Sequence, residues 1–527
     1  MPADFIITNA RIYSAEEKVP TAEAMAVRDG RILAVGRMGD VQALAGPGTR
    51  LVDLGDRAVI PGLIDAHVHL LSFALGLNRA KLSGAVSLEE ALGRVRLAVE
   101  RAEPGEWVLG NGWDKNSWGR LPNRWDLDAV SPSHPVFLVS KDMHTGWANS
   151  MALGLAGVGR DTPNPTGGEI VRDPESGEPT GLLRESATRP VFEAVPEPSA
   201  ERCEAALAEA LRIAVSKGLT GIQIPEGPRT FATLQQLKAR GDLPLRLYCH
   251  LQREYLQDAV RLGVRTGFGD EWLRLGHLKL FLDGALGSQT AHMLEPYDGT
   301  ENRGIETLSR EDLADLVSTA AAAGIAPAIH AIGDAANRIA LDVLEATARL
   351  WRRAGLRPRI EHVQLLHLAD AHRLGELGVV ASMQPVHQPS DWRVADRFWG
   401  ERSRLSYAWR TVLDSGAILA FGSDCPVEPI DPMLGLHAAV TRQTIEGLPP
   451  GGWYPEQRLA PLEALRAFTF GPAYASGEES IKGTLAAGKL ADFVVLSQDP
   501  MSGPPELFLQ VSVDATLVGG RVVYGDL

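Results

Sequence analysis

Eight short apolar runs, most of them separated by helical stretches, confine this chain to very few folds. They lie at residues 59–66, 219–224, 244–249, 273–282, 325–329, 358–361, 379–383 and 417–422. Between them, segments such as SREDLADLVSTAAAAG, NRIALDVLEATARLWRRAG and LADAHRLGELG carry apolar residues at helical spacing, with a glycine near the end of each. Eight strands alternating with helices predict an α/β chain folded as a (β/α)8 barrel, the TIM barrel. With 527 residues, the chain is long enough for one such barrel with additions.

Two additions are expected. Residues 4–60 read as short β segments punctuated by Asp-Gly and Gly turns, and the end of the chain, KGTLAAGKLADFVVLSQDP and VDATLVGGRVVYGD, has the same texture. Each tail is short for a stable sheet of its own. The two should therefore pair into one small composite β-sandwich domain, residues 1–60 plus 476–527, beside a barrel of residues 61–475. The stretch 70–215 between the first two strands is too long for a simple connection and is expected as an insertion over the active-site face. Its early part holds Trp107, Trp113, Trp118, Trp125 and Trp147, five of the eleven tryptophans. Most should form the insertion's own core, and Trp113 is the candidate to wall an apolar substrate pocket.

Catalytic groups of such barrels sit at the C-terminal ends of strands. In a strand, residues two apart share a face, so His67 and His69 project side by side, with Asp65 below them on the same face. The fifth run leads into His330, the sixth ends in Glu361 and His362, and the eighth leads into Asp424. A single histidine at one strand end is usually a hydrogen-bonded core residue. Five imidazole and carboxylate groups at four strand ends are instead a ligand set for zinc or a similar divalent ion. The fourth run adds Lys279 within LKLFLD. A cation there is costly, so its pKa should fall. The neutral amine could take up carbon dioxide as a carbamate, N6-carboxylysine, able to bridge two metals. The alternative is an unmodified Lys279 paired with Asp283 or with a substrate carboxylate.

Composition removes other classes. A formal charge of −14 argues against nucleic acid as the main partner, since phosphate binding needs a basic surface. Cys203, Cys249 and Cys425 are far apart, which fits a reducing compartment and no thiolate zinc site. Cys425, beside Asp424, reads as a small buried residue rather than a ligand or nucleophile. Neither a secretory signal nor an eighteen-residue apolar run is present, so a soluble cytoplasmic protein with no membrane partner is expected.

The motifs PGLIDAHVH (61–69), LKLFLDGALGSQTA (278–291), IHAIGDAAN (329–337), IEHVQ (360–364), SMQPVH (382–387), FGSDCPV (421–427) and GTLAAGKLADFVVL (483–496) span nearly the whole chain. In these it resembles the amidohydrolase superfamily, and within it the YtcJ-like branch that includes N-substituted formamide deformylases. The resemblance implies the barrel with its composite β-domain and a divalent metal, zinc, as one or two ions. It implies His67 and His69 on a first metal, Lys279 as carbamate bridge, His330 and His362 on a second metal, and Asp424 as ligand and proton shuttle. The activity expected is hydrolysis of an amide-type C–N bond in a small molecule, an N-acyl or N-formyl amine or an N-acyl amino acid. Asp424 would take the proton of the attacking water and deliver it to the leaving nitrogen. His387 and His144 are candidates to contact the oxyanion or the substrate, as is Asp283. A homodimer is common among such relatives. A mononuclear deaminase is the alternative on the same fold, disfavoured because no Glu stands third after His330, where Gly333 is found. A non-catalytic assembly protein is disfavoured because every expected ligand is kept.

Overall fold

The computed structural model describes residues 2–114, 118–141 and 144–527. Eight parallel strands form the central sheet: β1 Leu63–Asp65, β2 Leu219–Ile224, β3 Arg246–Gln252, β4 Leu273–Phe281, β5 Pro327–Ala331, β6 Arg359–His362, β7 Val380–Met383 and β8 Leu419–Phe421. Each pairs with its neighbour in sequence order, as a singly wound barrel requires. First and last strands meet through backbone bonds: Ala66 N–H donates to the Phe421 carbonyl at 3.0 Å, Asp424 N–H to that of His67 at 2.8 Å, and His69 N–H to that of Cys425 at 2.8 Å. The eight-stranded expectation is borne out.

The run at 59–66 is not one strand. Ala58–Pro61 pairs antiparallel with Phe493–Leu496 in the β-domain, and only Leu63–Asp65 enters the barrel. The break falls at Gly62, where the chain presses against β2: a Cβ there would lie 2.2 Å from Thr220 Oγ1. An apolar run of this length cannot reveal that its halves serve two sheets, because both halves are buried.

Both chain ends do meet in one sheet of six strands, in the order Arg521–Gly525, Val513–Val518, Phe493–Leu496, Ala58–Pro61, Arg11–Tyr13 and Thr21–Ala22. A four-stranded sheet faces it, and Phe5, Ile7, Met25 and Val27 from that sheet pack with Ile12, Val59, Phe493 and Leu517 from the larger one. Neither tail could bury such a core alone.

Residues Ala74–Cys203 form a second compact unit with a six-stranded sheet of its own. Its core contains Trp113 and Trp147, with Trp118 packed against them at ring separations of 6.0–6.1 Å. The insertion is therefore tighter than 70–215. The helix Ala200–Ser216, which leads into β2, contributes its residues from Glu204 onward to the barrel unit.

Candidate metal centre

Side chains of His67, His69, His330, His362, His387 and Asp424 come together at the C-terminal ends of the barrel strands. Asp424 is central: its Oδ1 lies 3.3 Å from His69 Nε2 and 3.6 Å from His67 Nε2, and its Oδ2 lies 3.7 Å from His387 Nε2. The His362 ring stands 5.1 Å from that of His67 and 4.6 Å from that of His330. His362 and Asp424 both adopt left-handed backbone, at φ 74° and 57°. Such conformations cost about 1–3 kcal/mol and cluster where a site must aim a side chain. At Gly422 a side chain has no room, since a Cβ there would lie 2.5 Å from Asp65 Oδ1.

Hydrogen bonds outside the cluster fix which nitrogen each imidazole turns inward. His67 Nδ1–H donates to Glu361 Oε2 at 2.6 Å, His362 Nδ1–H to Gln384 Oε1 at 2.8 Å, and His330 Nε2–H to the Gly284 carbonyl at 3.0 Å. The other nitrogen of each is left as a lone pair, the state a metal ligand needs. Burial keeps His67 neutral, with its pKa lowered to about 4, and holds His362 well below the ordinary imidazole value. His387 is wired the opposite way. Its Nδ1 accepts from the Gln364 amide at 3.3 Å, so Nε2 carries the hydrogen and faces Asp424.

Burial alone would raise the Asp424 carboxyl. The close approach of His69 and the electrostatic influence of the His67, His362 and His387 rings outweigh burial and hold it far below the usual carboxylate range. Lys279, 2% exposed on β4, has its pKa lowered to about 8, chiefly by burial. Its Nζ, His387 Nε2 and Asp424 Oδ1 are buried without a well-formed hydrogen bond. The unpartnered Asp424 oxygen, with ligand atoms of His67 and His69 within 4.8 Å of it and the His362 lone pair beside them, makes a donor set that fits a divalent cation.

A model of the amidohydrolase family matches residues 50–524. The chain belongs to that family. Putative amidohydrolase YtcJ of Bacillus subtilis is 32% identical over 97% of this chain and 98% of its own length. N-substituted formamide deformylase of Arthrobacter pascens is 32% identical over 99% and 98%. Protein LONG AFTER FAR-RED 3 of Arabidopsis thaliana is 38% identical over 99% and 92%. Among solved structures, an uncharacterized metal-dependent hydrolase from Pyrococcus furiosus superposes with a TM-score of 0.79 at 28% identity, covering 94% of this chain and all of that one. The chain falls in the YtcJ-like, formamide deformylase-like branch of the amidohydrolases and is a hydrolase with a divalent-cation site.

Not every residue expected at this amidohydrolase centre serves as expected. Trp113 is completely buried in the core of the insertion, and its indole N–H donates to the Leu138 carbonyl at 3.0 Å, so it has no surface to offer a substrate. His144 is an exposed residue of the insertion, its Nδ1 3.1 Å from Glu185 Oε2. Asp283 does not pair with Lys279. Its carboxylate accepts the backbone N–H groups of His292, Ile332 and Gly333 at 2.8–3.0 Å, tying the segment after β4 to that after β5. Asp65 likewise is a brace: it accepts from the backbone of His67 and Ser423 at 3.0 Å, joining the loops after β1 and β8.

Sequence reasoning missed Arg359 and the role of Glu361. Arg359 is fully buried; besides two bonds to Glu361 it reaches Gln223, Ser382 and the Ala66 carbonyl. The signal was available: in the motif RIEH, Arg359 and Glu361 are two apart and share the inward face of a strand with otherwise apolar neighbours.

Proposed function

We propose that this protein hydrolyses an amide-type C–N bond in a small molecule, an N-acyl or N-formyl amine or an N-acyl amino acid. In this reading His67, His69, His330, His362 and Asp424, with Lys279 as N6-carboxylysine, would hold one or two divalent ions, zinc being the metal the imidazole–carboxylate set favours. A cation held by these groups supplies Lewis acidity and an acidified water.

The chain's own groups divide the remaining work. Asp424, kept ionised by the surrounding imidazoles, accepts the proton of the attacking water and passes it to the leaving nitrogen, which departs as a neutral amine. His387 Nε2–H, with its proton fixed by Gln364, donates to the carbonyl oxygen as charge develops there. Glu361 and Gln384 hold His67 and His362 in the tautomers that face inward.

The observation that carries this reading is the wiring of the histidines: His67, His330 and His362 present a lone pair, and His387, beside Asp424, presents an N–H. The test is a panel of N-formyl and N-acyl amines, N-acyl amino acids and lactones on metal-loaded protein. Release of a primary amine with the matching acid supports it. Ammonia release from amino-heterocycles with no amide cleavage would replace it with the deaminase alternative.

A further inference from the structure

Successive inward positions on β4 are His277, Lys279 and Phe281. The first two are buried; Phe281, at the rim, is 45% exposed. Its ring stands 5.3 Å from that of His330 and 4.8 Å from Lys279 Nζ. A hollow of about 280 Å³ opens beside it, bordered by Lys279, Leu280 and Phe281 of β4 with Gln252, Arg253, Glu254 and Thr307. Lys279 and Phe281 both border this hollow, and Phe281 lies against His330, so it sits beside the β4 and β5 members of the candidate ligand set. Drug-sized ligands fill about 300–1,000 Å³, so this space takes one substituent rather than a whole extended substrate.

The lining tells what that substituent is. Thr307 Oγ1 donates to the Phe281 carbonyl at 2.8 Å, and the Gln252 amide spends one N–H on the Pro225 carbonyl at 2.7 Å, so both side chains are tied to the backbone. Arg253 and Glu254 are exposed and of opposite sign, which leaves the rim without a net charge to select an ion. The apolar part of the lining is Leu280 and the exposed Phe281 ring, and an offset ring is the best partner of an aromatic face.

We propose that Phe281 is a specificity-determining residue, the apolar wall of a subsite for an uncharged aryl substituent next to the scissile bond. This rests on the amide-hydrolase reading above. It places apolar recognition on β4 rather than on the tryptophans of the insertion.

The test compares matched substrate pairs, N-phenyl against N-methyl formamide and benzamide against acetamide, on the metal-loaded wild type, Phe281→Ala and Phe281→Tyr. Phe281→Ala is expected to lower kcat/KM for the aryl member about 10- to 100-fold, mainly through KM, and to leave the methyl member within about threefold. Phe281→Tyr, which keeps the ring, should restore the preference. An equal loss on both members would overturn the proposal and make Phe281 a support for Lys279 and His330; no change would overturn it too. If the wild type cleaves neither pair, calorimetric binding of benzamide still decides: binding abolished by Phe281→Ala and kept by Phe281→Tyr supports the subsite, and binding that is absent or indifferent to Phe281 removes it. In that case it is the hydrolytic reading that fails separately.

Discussion

Nδ1 of His67 and Oε2 of Glu361 lie 2.6 Å apart in the barrel interior, and neither side chain is more than 1% exposed. Glu361 stays ionised there: burial would raise its carboxyl, but the charge of Arg359 and the bond to His67 hold it well below the ordinary value. The pair fixes the tautomer of a ligand from β1 by means of a carboxylate from β6.

Glu361→Gln keeps the shape and removes the charge. It is expected to weaken metal binding about 10- to 100-fold, read by competition with a chelator. Because Arg359 would then be buried without its counter-charge, the fold should also lose about 3–5 kcal/mol, read by denaturant unfolding of the metal-free protein. Unchanged metal affinity would mean that the His67 tautomer is set by something other than Glu361.

Asp424→Asn, assayed with its metal content measured, should lose about 10²- to 10⁴-fold in kcat for amide cleavage. Full activity in a metal-loaded Asp424→Asn protein would remove Asp424 as the proton shuttle.

For His387→Ala the expectation is a kcat lower by about 10²- to 10³-fold, with metal content and thermal midpoint close to wild type. A loss of bound metal instead would move His387 from hydrogen-bond donor to ligand.

Lys279 gives a pH dependence whose sign follows from its surroundings. Burial lowers the ammonium pKa to about 8, so the side chain is mostly charged below that pH and mostly neutral above it. Only the neutral amine adds carbon dioxide. With ¹³C-bicarbonate and metal-free protein, the carbamate resonance should grow from pH 7 to pH 9 and be missing from Lys279→Met. A resonance that is absent at every pH, before and after metal loading, would rule out the carboxylated lysine.

The number of barrel strands, the pairing of the two tails in one sheet and the gathering of imidazole and carboxylate groups at the strand ends were all legible in the sequence. They depend on local patterns: β-branched apolar runs, helical periodicity, and ionisable groups placed where an apolar run stops. His67, His69, His330, His362 and Asp424 stood out because such groups are costly to bury unless they share a task. Asp283 and Trp113 were misjudged for one reason. A carboxylate or an indole in the right segment looks the same in sequence whether it faces a substrate or satisfies the backbone groups of its neighbours.

Those distinctions are decided only when distant segments close on one another. Gly62 splits an apolar run between two sheets because β2 leaves no room for a side chain there. Glu361 becomes the partner of His67 because the barrel brings residues 294 positions apart within hydrogen-bonding distance. His387 faces Asp424 with a proton rather than a lone pair because Gln364 donates to its other nitrogen. The sequence determined which chemical groups the protein would gather. Tertiary structure decided which atom of each group faces the centre, since a tautomer is set by a hydrogen bond that has no counterpart in local sequence.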